Sequence, residues 1–285
     1  MRKFSFLYPK VAQLINGMPL RKETFLFDSL SNIDYPFWIE LEYFLSISER
    51  LGNIDEIIRK LFSEAPLSLD IDKAWEKQRD FRSAQFEVTS ISMIEQYFHG
   101  KVALIPENRF PTPDFWIDLI QGSFTVEAKA QSGQQHGDKH PRLRGPILFN
   151  PKEEADLRSW LFEERISSRN GKPMKPQILA AERKGADILI CQTDCVKTRD
   201  DLLTQVSILC PESHLTNRIS LQSANQKPMD VAFFHATYPS TQSLTKLKEI
   251  WLCNLSKSSY GLAVLSRGNA DILSNHLEYR GKHRH

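Results

Sequence analysis

The sequence predicts an α/β protein, a mixed sheet with helices on its faces behind a helical N-terminal region. Three observations carry this reading. Residues 1–70 hold apolar side chains at helical spacing. Pro113–Ala130, "PDFWIDLIQGSFTVEAKA", alternates apolar and polar residues either side of one tight turn. Pro176–Gln192, "PQILAAERKGADILICQ", runs helix, glycine, buried strand, the order expected of a crossover beside a sheet.

The elements follow in order. Phe37, Trp38, Leu41, Phe44 and Leu45 share one helical face, and Gly52 marks the stop. Asn53 and Glu56 form a capping pair ahead of Ile57, Ile58, Leu61 and Phe62. Ser63–Asp70 carries the breaker residues of a boundary, dividing a helical region (1–70) from the remainder (71–285). A long helix is expected within Asp72–Phe98, then a short strand at Lys101–Pro106 and the hairpin. Asn150, Pro151 and Glu153 announce another helix through a cap, a first-turn proline and a capping acid. Beyond residue 200, Val231–Tyr238 and Gly261–Ser266 read as strands around a helix near Ser243–Leu255, and the final "RGKHRH" as a disordered tail. No internal repeat is present.

Composition bounds the function classes. The 285 residues are 41% hydrophobic and 25% charged, which excludes extensive disorder, and the net charge of +2 permits a nucleic-acid partner without demanding one. Apolar runs such as "ILFN" and "ILIC" fall far short of the roughly 20 residues that span a bilayer. The N-terminus lacks the apolar core and cleavage site of a secretion signal. Cys191, Cys195, Cys210 and Cys253 show no paired CxxC spacing, so four buried thiols in a reducing cytoplasm are expected. A cytoplasmic protein with no membrane partner is the resulting expectation.

The hairpin carries the chemistry. With Gln121 and Gly122 as the turn, Phe115 pairs with Ala128, Ile117 with Val126 and Leu119 with Phe124 on an apolar face. The other face sets Asp114 opposite Lys129, Trp116 opposite Glu127 and Asp118 opposite Thr125. A slip of one residue would put the acids opposite Phe115 and Ile117, so apolar pairing selects this arrangement. Asp114, Glu127 and Lys129 therefore converge. Two neighbouring carboxylates repel unless a proton or cation lies between them, and hard oxygen ligands suit Mg²⁺ or Mn²⁺. A lysine beside them can orient a water or stabilise developing phosphate charge.

Pro113-Asp114 followed by Glu127-Ala128-Lys129 on the next strand resembles the PD-(D/E)XK, or restriction-endonuclease-like, nuclease superfamily, over about Asp80–Thr193. The resemblance implies an αβββαβ core and a metal-dependent nuclease, a DNA endonuclease in first place. Residues 71–285 are then a nuclease-like domain with a C-terminal elaboration. It implies Asp114, Glu127 and Ala128 (the last through its main chain) as metal ligands and Lys129 as the catalytic lysine. A restriction or defence role follows by analogy of fold alone. The superfamily's further acid, on the preceding helix, is Glu87 or Glu95, and the spacing favours Glu87. Gln177 stands where family members often place a Lys or Gln, but Ala181 replaces the tyrosine that follows in one branch. Glu182-Arg183-Lys184, a second ExK, reads as a solvated helix face.

Two basic loops complete the picture: Gln131–Pro146 with Lys139, Arg142 and Arg144, and Ser167–Pro176 with Arg169, Lys172 and Lys175. Both are placed to contact backbone phosphates. His136 and His140 sit among glycines and a proline, which rejects a helical zinc pair. No GxxxxGK[ST] loop occurs, so ATP-driven movement requires a partner protein, which can equally supply targeting; a homodimer stays open. DNA is favoured over RNA as partner. The alternative reading is a catalytically silent nucleic-acid-binding or scaffold protein on the same fold.

Overall fold

The computed structural model describes residues 2–64, 71–106, 109–130, 151–166, 173–192, 214–223, 228–235, 244–255 and 260–282, with 204, 206, 207 and 209 besides. Among the described residues the N-terminal region holds six α-helices, α1 (Arg2–Leu7), α2 (Pro9–Gly17), α3 (Phe25–Asp28), α4 (Pro36–Ser46), α5 (Ser48–Leu51) and α6 (Asp55–Phe62), with a 3-10 turn at Ser29–Ser31. Phe37, Trp38, Leu41 and Phe44 are buried along α4 as their spacing requires, and α5 stops at Gly52, whose φ of 101° suits a residue without Cβ. The Asn53 carboxamide accepts from the Asp55 amide at 2.9 Å, but Glu56 does not reach back to complete a capping box. It pairs forward with Arg59 and Lys60.

The long helix is α7 (Ile71–Met93), closed by a π turn at Ile94–Phe98. The strands β1 (Lys101–Leu104), β2 (Phe115–Leu119) and β3 (Gly122–Ala130) follow as an antiparallel meander. Next come α8 (Pro151–Phe162), the short strands β4 (Arg165–Ile166) and β5 (Pro173–Met174), and α9 (Gln177–Lys184). The chain then enters β6 (Ile188–Gln192), which lies parallel to β3. Beyond it are β7 (His214–Gln222), β8 (Pro228–His235), β9 (Glu249–Leu255), β10 (Tyr260–Ser266) and a helix, Ile272–Lys282. Among the described residues the main sheet has eight strands in the order β1-β2-β3-β6-β9-β10-β8-β7, with parallel and antiparallel pairs. The fold is mixed α/β.

Two apolar layers sandwich the sheet. One joins α1–α7 and the helix Ile272–Lys282 to Phe115, Ile117, Val126, Ala128, Ile188, Ile190, Trp251 and Cys253. The other joins α8 and α9 to Leu189, Cys191, Ile250, Leu252, Ala263 and Leu265. Because β6 and β9 are covered on both faces, they are apolar at consecutive positions, as buried parallel strands are. That explains one correction. The helix expected near Ser243–Leu255 is strand β9 from Glu249 onward, since a continuous apolar run carries no period to separate strand from helix. Strand β7 was not foreseen, and Arg280 and Lys282 extend a helix rather than beginning a tail. Cys191 and Cys253 are buried and not joined in a disulfide; Cys195 and Cys210 lie outside the described residues.

The hairpin departs from the expected register by two residues. Phe115 pairs with Val126, Ile117 with Phe124 and Leu119 with Gly122, so the turn is Ile120–Gln121 and not Gln121–Gly122. Asp114 consequently stands level with Glu127 rather than Lys129. A shift of two keeps every residue on its face, so apolar patterning cannot distinguish the two registers. Contacts from afar hold the turn. The Ile120 amide donates to His276 Nδ1 at 3.1 Å and the Gln121 carboxamide to the Ile272 carbonyl at 3.0 Å. His276 Nε2 lies 2.7 Å from the Phe98 carbonyl, which can only accept, so the proton sits on Nε2 and the ring is neutral.

Burial holds the His276 pKa below its ordinary value. The folded state therefore binds fewer protons than the unfolded state just below pH ~6.5, and stability falls as the pH drops through that value. The difference in urea midpoint between wild type and His276→Gln, followed from pH 7.5 to 5, should move in favour of Gln, whose amide is neutral throughout.

Candidate active site

Asp114 is fixed by its main chain before its side chain acts. Its amide donates to the Val126 carbonyl at 2.9 Å and its carbonyl accepts from Ile105 at 3.1 Å, clamping it between β1 and β3. Its Oδ2 accepts from the Ala128 amide at 2.7 Å, so the carboxylate faces β3. Glu127 lies in mid-strand on the same side and is fully buried. Its Oε1 pairs with the Lys129 ammonium, two residues on along the same face, and with Lys184 Nζ at 2.6 Å. Its Oε2 is buried with no hydrogen-bond partner. Lys184 Nζ is also 3.9 Å from Asp114 Oδ1, so this ammonium lies between the two acids.

Thr125, two residues before Glu127, locks β3 to β6. Its amide and hydroxyl donate to the Asp187 carboxylate at 3.0 and 2.9 Å. Asp187 is in turn flanked by Lys246 and Lys248 at 3.4 and 3.2 Å.

Charge follows geometry. Burial, then the Asp114 carboxylate, raises the Glu127 pKa against the pull of Lys129 and Lys184. Burial would lower the Lys129 pKa, but Asp114 and Glu127 outweigh it and the ammonium is held charged. Glu87, in the middle of α7 and only 8% exposed, accepts from Ser83 Oγ at 3.2 Å. Burial and the nearby Asp114 push its pKa up to about 7. The two helix acids thus separate. Glu87 shares the field of Asp114 and Lys129, whereas Glu95 bonds Arg50 at 2.8 Å and the Val102 amide at 2.7 Å, fastening the end of α7 to β1.

Lys184 corrects the reading of Glu182-Arg183-Lys184 as a solvated face. Glu182 accepts from the amides of Thr245, Lys246 and Leu247 at 2.6–2.8 Å. Lys184, the last residue of α9, enters the acid cluster. The legible signal was the crossover itself. Gly185 (φ 78°) turns the chain into β6, and β6 runs beside β3 with Leu189 level with Glu127. The end of α9 must therefore fall near that carboxylate. Gln177 sits half-buried at the opposite end of α9.

A cleft of about 510 Å³ opens onto this cluster, lined by Asn53, Lys60, Glu87, Arg109, Asp114 and Lys184 among others. Lys184, which lines the cleft, donates to Glu127 Oε1. Lys175 is exposed; Lys139, Arg142, Arg144, Arg169, Lys172, His136 and His140 lie outside the described residues.

Among the described residues no group of three or more His, Cys, Asp or Glu side chains is gathered closely enough to hold a metal ion by itself. The acids nevertheless fit a hard cation in two respects. Glu127 Oε2 is a buried anionic oxygen without a donor, and a positive charge, that of Lys184, already lies between Glu127 and Asp114. No helix among the described residues is long and apolar enough to cross a membrane. Comparison with models of known protein families, with curated proteins and with solved structures gave no match.

Proposed function

We propose that the protein is a Mg²⁺- or Mn²⁺-dependent nuclease of the PD-(D/E)XK type that hydrolyses phosphodiester bonds, with DNA as the favoured substrate. The observation that carries the proposal is the meeting of Asp114, Glu127 and Lys129 on one face of the hairpin, with Glu87 arriving from α7. With α8 and the short β4–β5 pair taken as an insertion between β3 and α9, the order α7, antiparallel β1-β2-β3, α9, then β6 parallel to β3 supports a restriction-endonuclease-like core.

In this reading Asp114, Glu127 and the main chain of Ala128 hold the metal. When bound, the ion supplies Lewis-acid stabilisation of charge on the phosphate and lowers the pKa of water. Lys129, held charged by its neighbours, orients the attacking water and stabilises negative charge developing on the phosphate. Glu87 accepts protons near neutrality, which suits a group exchanging them with ordered water. Lys184, at the end of the crossover helix, takes the role for which Gln177, at its start, was the sequence candidate. A restriction or defence setting remains an analogy of fold.

A second reading, a catalytically silent nucleic-acid-binding protein, draws on the two ammonium groups at Glu127 Oε1, which balance that acid without a metal. The two are separated by incubating purified protein with plasmid, linear duplex, single-stranded DNA and RNA in Mg²⁺, Mn²⁺ or EDTA. Cleavage that EDTA abolishes is expected. Retention of nucleic acid with no cleavage of any form would transfer the conclusion to the silent reading.

The helix acid has its own test. At limiting Mg²⁺, Glu87→Gln should lower the cleavage rate about 10-fold or more. Glu95→Gln should leave the rate near wild type and reduce stability by roughly 1 kcal/mol, the loss of a charge-assisted hydrogen bond. The reverse ranking would transfer the role to Glu95.

A further inference from the structure

We propose that Lys184 is a tethered counter-ion of the acid pair, and that a metal ion binds there only by displacing its ammonium from between Asp114 and Glu127; this rests on the metal-dependent reading above. The oxygens of the two acids are already divided. Asp114 Oδ2 is committed to the Ala128 amide at 2.7 Å, and Oδ1 lies 3.9 Å from Lys184 Nζ. Glu127 Oε1 accepts from Lys184 at 2.6 Å and pairs with Lys129, while Oε2 is buried with no hydrogen-bond partner. One ammonium thus serves both carboxylates, which is the part a hard divalent cation plays between oxygen ligands. Like charges a few ångströms apart repel strongly in a partly desolvated site, so the two cations compete.

The two lysines at Glu127 are not equivalent. Lys129 rises from the middle of the sheet, level with Cys191 of β6, and its ammonium is held charged by Asp114 and Glu127. Lys184 comes from the last residue of α9, lines the cleft and keeps a quarter of its side chain exposed. The helix end that carries it is pinned, because Glu182 accepts from the amides of Thr245, Lys246 and Leu247. Release of Lys184 therefore needs rotation of a flexible aliphatic stem and no movement of the helix. The ammonium passes into solvent at the cleft, where hydration replaces the carboxylates. Lys184 is the cation that yields, and its competition raises the metal concentration at which the site fills.

The test reads metal binding apart from cleavage. Full-length wild type and variants are titrated with Mn²⁺, and the free ion is counted by its electron paramagnetic resonance signal. Lys184→Met and Lys184→Gln, which remove the charge, should each bind Mn²⁺ at least about tenfold more tightly, and Lys184→Arg should stay near wild type. Gln keeps an N–H donor for Glu127, so a gain shared by Met and Gln follows the charge and not the hydrogen bond. Lys101→Met removes the same charge from an exposed position level with Asp118, at the far end of β2 from Asp114, and should change nothing. Melting curves give a second readout. In EDTA the Met and Gln variants should melt below wild type, and Mn²⁺ should raise their melting temperature by more than it raises that of wild type. Unchanged or weaker Mn²⁺ binding in both variants, or an equal gain in Lys101→Met, overturns this inference, while Mg²⁺-dependent cleavage by the wild type would leave the nuclease reading standing. No Mn²⁺ binding by any of these proteins, together with no cleavage, overturns both.

Discussion

Asp114→Asn is expected to reduce Mg²⁺-dependent cleavage by at least about 10²–10³-fold with the fold intact. The substitution keeps an oxygen that can accept from the Ala128 amide, so the junction between β2 and β3 survives. What disappears is the negative charge, and with it a hard anionic ligand. The same charge raises the pKa of both Glu127 and Glu87, so its removal relieves repulsion and thermal stability should stay level or rise slightly. Lys129→Ala is predicted to slow cleavage by ~10²-fold or more, since it deletes the water-orienting ammonium while Lys184 still neutralises Glu127. Single-turnover cleavage at saturating metal, alongside a melting curve for each variant, checks both. An Asp114→Asn protein that cuts at the wild-type rate would end the metal-site assignment.

The largest effect on stability is expected at Glu249, two strands from β3 in the sheet. This carboxylate is fully buried. It accepts from Trp251 Nε1 at 2.8 Å, Ser266 Oγ at 3.3 Å and the Ile272 amide at 2.6 Å, joining β9, β10 and the start of the helix Ile272–Lys282. Truncation to alanine strands three buried donors and opens a void, and should cost about 3–5 kcal/mol. The loss should extend to the hairpin turn, because Ile272 and His276 of that helix hold Gln121 and Ile120.

Burial, partly offset by these donors, pushes the Glu249 pKa up to about 7. An acid whose folded pKa exceeds its unfolded value of ~4.3 binds more protons in the native state, so stability is lost as the pH rises between ~4 and ~7. Glu249→Gln, which never ionises, should lack this contribution. The difference in urea stability between wild type and Glu249→Gln should move in favour of Gln by on the order of 3 kcal/mol across that interval. A constant difference would show that the carboxyl titrates alike in both states.

Local sequence was enough for whatever depends on period and local chemistry. Alternation along Asp114–Lys129 assigned the apolar face and the polar face of the hairpin, and with them the meeting of two acids and a lysine. Helical spacing placed α4 and α7, and the helix–glycine–strand order of Pro176–Gln192 placed α9, Gly185 and β6. These features survive any arrangement of distant elements, because side-chain direction repeats with the backbone itself.

Tertiary structure decided whatever those periods leave degenerate. A two-residue shift of register preserves both faces, and His276 and Ile272, some 150 residues away, select the turn at Ile120–Gln121. The apolar run of β9 fits a helix or a strand equally until β6 and β10 flank it and bury both its sides. Glu87 on α7 and Glu95 in the π turn that closes it share one broad stripe by sequence, and Arg50 and the Val102 amide engage Glu95 away from the hairpin acids. Lys184 had no local mark of its role. Its place between Asp114 and Glu127 follows from the parallel pairing of β6 with β3, a contact between segments about sixty residues apart that no local period encodes.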